Sequence, residues 1–467
     1  MSGEKKSVSE ISRSVYDRKG KAAPKFKVQS GLTPEIIRTI SDEKNDPDWM
    51  REFRLRSLEI YEETELPAWG YPLDALNMDD IVTYVRPDAR QSHDWESVPD
   101  EIKSTFEALG IPEAERTGLA GVGAQYDSEV VYHSIKKEVA ELGVVYTDMD
   151  SALRGEYAGM VREHFMKLLP ASEHKFLALH GAVWSGGSFV YVPDGVEVPI
   201  PLQSYFRFNA AGAGQFEHTL IILGKGASLH FIEGCSAPKY NVANLHAGCV
   251  ELYVAEGARL RYSTIENWSK NMYNLNSKRA TVEKGGAIEW VSGSFGSHTS
   301  FLYPMSILRG EHARCEYTGI TFAGAGQELD TGAQVLHLAP NTTSHISAKS
   351  ISKNGGKSTF RGGVTVSENA SGSKISVACD SLMLDSRSRS DTVPVMDIRA
   401  ANADVGYEAK IGRISEQAIY YLMSRGLSEN DAKAMIVGGF AEPISKELPL
   451  EYAVEMNRLI NLEITGN

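Results

Sequence analysis

Four cysteines hold most of the chemistry open to this 467-residue sequence: Cys235, Cys249, Cys315 and Cys379. No two stand in Cys-x-x-Cys spacing, so neither a local zinc site nor a disulfide framework is indicated, and the four read as thiols. A thiolate offers nucleophilic attack and soft ligation of iron. Free cysteine is also among the most buried residue types, so each must be weighed as core filling. Cys235 follows a glycine at a strand end, in Phe231-Ile-Glu-Gly-Cys235. Cys379 follows Ile375-Ser-Val-Ala, while Cys249 and Cys315 sit within repeated strands and read as structural. The 12 histidines are scattered without the spacing of a helical metal motif, and His246 reads as a hydrogen-bonded structural residue. A phosphate-binding Gly-x4-Gly-Lys-Ser/Thr loop is absent from the sequence, so any ATP hydrolysis belongs to a partner.

The elements that must position these residues repeat. The turns Pro-Asp-Gly195-Val196, Gly-Lys-Gly226-Ala227, Ala-Glu-Gly257-Ala258, Glu-Lys-Gly-Gly286-Ala287, Arg-Gly-Glu-His-Ala313, Ala-Pro-Asn341-Thr342, Ser-Glu-Asn369-Ala370 and Ala-Ala-Asn402-Ala403 recur at intervals of 31, 31, 29, 26, 29, 28 and 33 residues. Strands flank each turn, such as Thr219-Leu-Ile-Ile-Leu and Ser228-Leu-His-Phe-Ile, with apolar residues at every second position. One such unit cannot bury its apolar face alone, whereas about eight stacked units bury a continuous core. The expected fold is mainly β: a right-handed parallel β-helix over 181–412, flanked by N-terminal and C-terminal helical domains. A β-sandwich, with strands recurring at about 8–12 residues, fits the repeating turn less well.

Before the repeats, residues 1–30 read as a mobile tail and 31–180 as an α-rich domain. Its helical stretches are Thr33–Glu62, Asp127–Leu142 and Asp150–Leu169. After them, 413–467 reads as three helices: one capped by Ser415 and ended by Gly426, one opened by Ser428, and one opened by Pro449. These helices are expected to close the end of the coil and to serve as a docking module. The net charge of −13 argues against nucleic acid as the main partner. The sequence has no run of 18 apolar residues and no secretory signal, which points to a cytoplasmic protein without membrane contact.

The run Phe231-Ile-Glu-Gly-Cys235-Ser-Ala-Pro238 resembles the signature of the SufB family, iron–sulfur cluster scaffolds of the SUF system. So do Tyr205-Phe-Arg207-Phe-Asn209, Gln215-Phe-Glu217, Ser263-Thr-Ile-Glu-Asn-Trp268 and Cys379-Asp-Ser-Leu382, with Arg425-Gly-Leu-Ser-Glu-Asn-Asp-Ala432 and Met435-Ile-Val-Gly-Gly-Phe440 near the C-terminus. The match runs in register from about Gly121 to the end. It implies a β-helix between helical domains and a non-enzymatic scaffold for a transient iron–sulfur cluster. The resemblance also implies partners: a SufC-type ABC ATPase on the C-terminal helices, a second β-helix subunit, and a cysteine desulfurase system delivering persulfide. In these terms Cys235 accepts or relays sulfur, Arg207 belongs to the same relay as the family's arginine tied to activity, and Cys379 and Glu408 hold the nascent cluster. Some family complexes bind reduced flavin, although no residue here locates such a site.

One departure stands out. Where the family commonly has Glu-His-Glu, this chain has Gly406-Tyr407-Glu408. One cysteine and one glutamate are too few for a cluster that usually takes four ligands. A second subunit is therefore expected to supply the rest, either another copy in a homodimer or a SufD-like chain. The lost imidazole also leaves open a SufD-like structural role without a cluster. A secreted polysaccharide-cleaving β-helix enzyme is disfavoured, since no export signal or catalytic carboxylate pair is evident.

Overall fold

Alternation along each strand sorts its side chains between a bore and a flank. In Ser228–Ser236, Leu229 and Phe231 join the inner core while Ile232 joins the layer outside. The computed structural model describes residues 16–20, 23–109, 118–448 and 450–465. In it, Ser228–Ser236 pairs in parallel with Leu202–Arg207 on one side and Arg259–Asn267 on the other. This pairing continues through Ala287–Phe295, Arg314–Ala323, Thr343–Ser352 and Lys374–Met383 to Asp404–Arg413, forming a first sheet. A second, facing sheet runs from Ser188–Val192 through His218–Leu223, Cys249–Val254, Met272–Val282, Thr299–Leu302 with Met305–Leu308, Glu328–His337 and Lys357–Val366 to Arg389–Ile398. The chain is thus mainly β, a parallel solenoid of about 8 turns with helices at both chain ends.

Five of the eight corners behave as the turn residues require, whereas His312 takes positive φ at a sixth, and Asn369 and Asn402 do not take it. Gly195, Gly226, Gly257 and Gly285 have φ of 71°, 65°, 70° and 65°, and Asn341 takes the same left-handed conformation at 58°. Between corners, equivalent inward positions stack into ladders. Leu229, Leu260 and Ile288 form one, and Phe231, Tyr262 and Trp290 another, with ring centroids 5.6 and 5.5 Å apart. Burying each such side chain contributes about 1.5–3 kcal/mol.

The flanks differ from expectation in four places, one being Asp150–Leu169, which breaks at Gly155 into the helices Met149–Arg154 and Ala158–His164. Asp127–Leu142 is not a helix. It holds a hairpin of Gly121–Tyr126 and Glu129–Ile135, turning at Asp127 with φ of 52°, and only Lys137–Ala140 is helical. The β-branched and aromatic run Val130-Val-Tyr132 favours a strand, and Gly121–Tyr126 extends the first sheet in parallel with Leu202–Arg207. The tail is also more structured than expected. Residues 1–15 and 21–22 lie outside the described residues, but Gly20 N donates to Asn209 Oδ1 at 2.9 Å and Phe26–Lys27 pairs with Val85–Arg86.

The C-terminal helices do not close the coil. Glu416–Ser424, Glu429–Ser445 and Leu450–Thr465 fold back along the outer face of the first sheet, packing Ala432, Val437 and Ile460 against Ile265, Ile320 and Ile351. Pro449, expected to open the last of these helices, lies outside the described residues. The outward isoleucines of that sheet provide an apolar flank, and covering it outweighs capping an edge. The N-terminal helices Pro34–Lys44, Asp48–Glu63 and Lys175–Val183 cover the second sheet in the same way. Among the described residues no helix is long and apolar enough to cross a membrane.

Candidate functional site

Cys235 sits near the end of its strand, in register between Phe206 and Glu266, and is 1% exposed. Phe206, Trp268 and Met272 pack around it. Burial pushes its thiol well above the ordinary range, and Glu233, Glu266 and Glu217 push the same way against Lys278. The thiol is therefore protonated in this closed form. Arg207 is fully buried and in register with Ser236, the next residue, so alternation turns it to the face of the sheet opposite Cys235. Its Nη1 donates to Ser236 Oγ at 3.1 Å, and its Nη2 donates to the carbonyls of Tyr16 and Arg18 at 2.9 and 2.7 Å. Arg207 thus straps an N-terminal segment over the strand end that carries Cys235. A cavity of about 310 Å³ opens alongside, lined by Tyr126, Asp127, Asn209 and Tyr240 among others.

The bore below is charged. Lys278 Nζ lies 2.8 Å from Glu233 Oε1, 3.0 Å from Thr264 Oγ1 and 4.0 Å from Glu266 Oε1. Tyr262 OH donates to the other Glu233 oxygen. Asn274 Nδ2 donates to Glu266 Oε2 at 2.8 Å, and His246 lies 2.7 Å from Asn274 Oδ1 and 2.5 Å from Glu217 Oε1. Burial works against the Lys278 ammonium, but Glu233 and Glu266 outweigh it and hold its pKa above the usual value. His246 is likewise raised, because Glu217 overcomes the cost of burial. His246 is hydrogen-bonded as its sequence context suggested, but it belongs to a network that the sequence did not reveal.

Strand register brings the two predicted cysteines into neighbouring ladders. Cys235 aligns, coil by coil, with Glu266, Ser294, Thr321, Ser350 and Ser381. Glu233, two residues away on the same face, aligns with Thr264, Ser292, Gly319, Ala348 and then Cys379. Ser350 and Ser381 hydroxyls touch at 2.7 Å. Cys379 is 1% exposed and stands one coil from the terminal strand. Burial raises its thiol pKa, while hydrogen bonds with Thr392 and Ser381 oppose this.

Glu408 lies elsewhere. It aligns with Ala378, so alternation turns its side chain to the outside. That side chain is 64% exposed and pairs with Lys410 at 2.8 Å. Tyr407, in place of the family's imidazole, packs against the inner core and bonds Thr392 through its hydroxyl at 2.8 Å. Within one chain, then, Cys379 and Glu408 occupy opposite faces of one sheet.

A second cluster escaped the sequence. His180, His218 and Cys249 are buried, and one donor atom from each lies within 4.8 Å of the others. His218 and Cys249 are register partners on adjacent strands of the second sheet, and His180 comes from the covering helix. The one available signal was their separation of 31 residues, a full coil. Cys315 is the ordinary buried thiol expected, its Sγ 3.2 Å from Ser306 Oγ.

A family model for the SUF-system iron–sulfur cluster assembly SufBD core domain matches residues 206–440. The chain is 49% identical to the iron–sulfur cluster assembly protein SufB of Bacillus subtilis over 462 residues, covering 99% of each. It is 50% identical to an iron–sulfur cluster assembly SufBD family protein of Staphylococcus aureus over 442 residues, covering 95% of each. The matched span contains Arg207, the charged bore and both ladders, and the chain belongs to the SufBD family of iron–sulfur cluster assembly proteins.

Proposed function

We propose that this chain is the cytoplasmic scaffold subunit on which the SUF system builds a nascent cluster. It accepts sulfur at Cys235 and holds the cluster at Cys379, without being an enzyme itself. The carrying observation is the pair of adjoining ladders that joins the two thiols. A purely structural solenoid would fill its bore with apolar residues, as the Leu229–Leu260–Ile288 ladder does. Between Cys235 and Cys379 the inward positions are instead serine, threonine, glycine, alanine and the Lys278–Glu233–Glu266 group. Such a lining leaves space and hydrogen-bonding capacity for a polarisable sulfur species.

Cys235 becomes an acceptor when the segment strapped by Arg207 lifts and frees the strand end to open toward Phe206 and Trp268. Its thiolate attacks the outer sulfur of a donor persulfide from the cysteine desulfurase system, and the donor leaves as a thiolate. A SufC-type ATPase on the C-terminal helices supplies the work that opens the terminal coils. A second β-helix subunit, another copy or a SufD-like chain, completes the ligand set. The outward-facing Glu408 is then offered across that seam rather than to its own chain's Cys379.

The separation of Glu408 from Cys379, together with Tyr407, favours one other reading: a SufD-like subunit that holds the ATPase but no cluster. Anaerobic reconstitution with ferrous iron and sulfide separates the two. The scaffold reading expects a brown species with charge-transfer absorption that disappears in Cys379→Ala. Colour in neither form selects the structural subunit, and colour that survives Cys379→Ala removes that residue from the ligand set. Native mass spectrometry with the ATPase then counts copies, and a single copy of this chain per complex excludes the homodimer.

A further inference from the structure

We propose that His180, His218 and Cys249 bind one divalent metal ion, zinc by preference, which staples the N-terminal helices to the outside of the solenoid. This site is separate from the sulfur path, since Cys235 and Cys379 face the bore of the first sheet and Cys249 faces the flank of the second.

The donors are placed as a ligand set. In tetrahedral zinc, bonds of about 2.0–2.1 Å to nitrogen and about 2.3 Å to sulfur put donor atoms roughly 3.3–3.8 Å apart. His180 Nε2 and His218 Nδ1 are 3.1 Å apart, and the Cys249 donor lies within 4.8 Å of the histidine donors. Two imidazoles and a thiolate suit a borderline-soft ion better than calcium or magnesium.

The surroundings of each imidazole match those of a metal-bound histidine, whose other nitrogen donates to a carbonyl or carboxylate. His180 Nδ1 lies 2.9 Å from the Ala247 carbonyl, which fixes the proton there and leaves Nε2 as a lone pair. His218 Nε2 lies 3.2 Å from Glu251 Oε2. Glu251 is itself held by the backbone N–H groups of Met166, Leu168 and Leu169 at 2.5, 2.6 and 3.0 Å. Its oxygens are therefore committed, and it orients His218 rather than ligating.

Without an ion, and with His218 neutral, these groups conflict. The His180 lone pair draws the His218 proton to Nδ1, so a neutral His218 turns the lone pair of Nε2 toward the Glu251 carboxylate. That nitrogen is fully buried and makes no hydrogen bond of good geometry. An ion on His218 Nδ1 moves the proton to Nε2, where it faces Glu251, and displaces the proton of the Cys249 thiol. One proton leaves per ion bound. Phe165, 4.3 Å from the His218 ring, and Trp184 shield the site.

The test grows the full chain in minimal medium with cobalt replacing zinc. One cobalt per chain should survive gel filtration, with visible d–d bands of tetrahedral intensity and a near-ultraviolet thiolate-to-cobalt band. The charge-transfer band should vanish in Cys249→Ala and persist in the Cys235→Ala/Cys379→Ala double variant. Persistence in Cys249→Ala, or loss in the double variant, would overturn the assignment. Should Cys249→Ala fail to fold, the unsubstituted chain decides alone. X-ray absorption of its zinc-loaded form should give one sulfur and two imidazoles, with one oxygen from water completing the tetrahedron. Less than a tenth of an equivalent of metal, or a different donor set, rejects the site.

Discussion

Lys278 Nζ and Glu233 Oε1 form an ion pair at 2.8 Å inside the bore, with both side chains buried. Glu266, 4.0 Å from the same ammonium, depends on it as well. Removing one member of a buried pair leaves an uncompensated charge, at a cost of about 3–5 kcal/mol. Lys278→Met should therefore lower the denaturant midpoint at neutral pH by that order, and adding Glu233→Gln should recover part of the loss. A change below about 0.5 kcal/mol would mean that the bore solvates its carboxylates.

Asp127 gives a pH signature. Burial pushes its carboxyl up to about 7, against the backbone N–H groups of Asn209 and Ala210 and the charge of Arg207. The folded chain thus keeps a proton that the unfolded chain has already released above its ordinary value of 3.8. Stability falls as pH rises between those values and levels off above the higher one. Asp127→Asn should match the parent at pH 4 and exceed it above pH 7 by on the order of 2–4 kcal/mol, read from denaturant midpoints. Asparagine also tolerates the left-handed backbone at this position. Parallel pH profiles for the two proteins would refute the assignment.

Tyr407 and Cys379 both reach Thr392. The Tyr407 ring packs against the inner core, and its hydroxyl ties the two last coils through Thr392. Tyr407→Ala should raise the alkylation rate of Cys379 at least tenfold while leaving Cys235 unchanged, as followed by peptide mass spectrometry. Equal acceleration at both thiols would indicate general unfolding instead.

Tyr420 and Tyr421 are 75% and 56% exposed on a C-terminal helix. Replacing both with serine should leave stability within about 0.5 kcal/mol. It should weaken binding of the proposed ATPase at least tenfold by calorimetry. Unchanged affinity would move the docking surface elsewhere.

The solenoid was legible because most of its corners take residues that permit positive φ, and the turns recur in the chain at near-constant spacing. The hairpin at Asp127 was not, since a short apolar run of mixed spacing suits either element until Gly121–Tyr126 finds its place beside Leu202–Arg207. The C-terminal helices were found with their caps, Ser415 and Ser428, but their place was misjudged. Outward Ile265, Ile320 and Ile351 are spread over ninety residues and become one surface only when the coils stack. Cys235, Arg207 and Cys379 were singled out by resemblance, whereas Lys278, Glu266 and the His180–His218–Cys249 group required register. Alternation alone could have placed Glu408 on the face opposite Cys379, given that Ala378 is its partner.

The stacking of like positions also dictates where this molecule can change length. One residue added within Thr343–Ser352 would exchange inside for outside along the rest of that strand, driving Ile346 or Ala348 into solvent and a lysine into the bore. The same residue added at a corner only enlarges a loop. Hence a coil of 26 residues, Tyr273 to Thr299, and one of 32, Lys357 to Arg389, coexist in one rod: the strands keep strict count, and the bends absorb every difference.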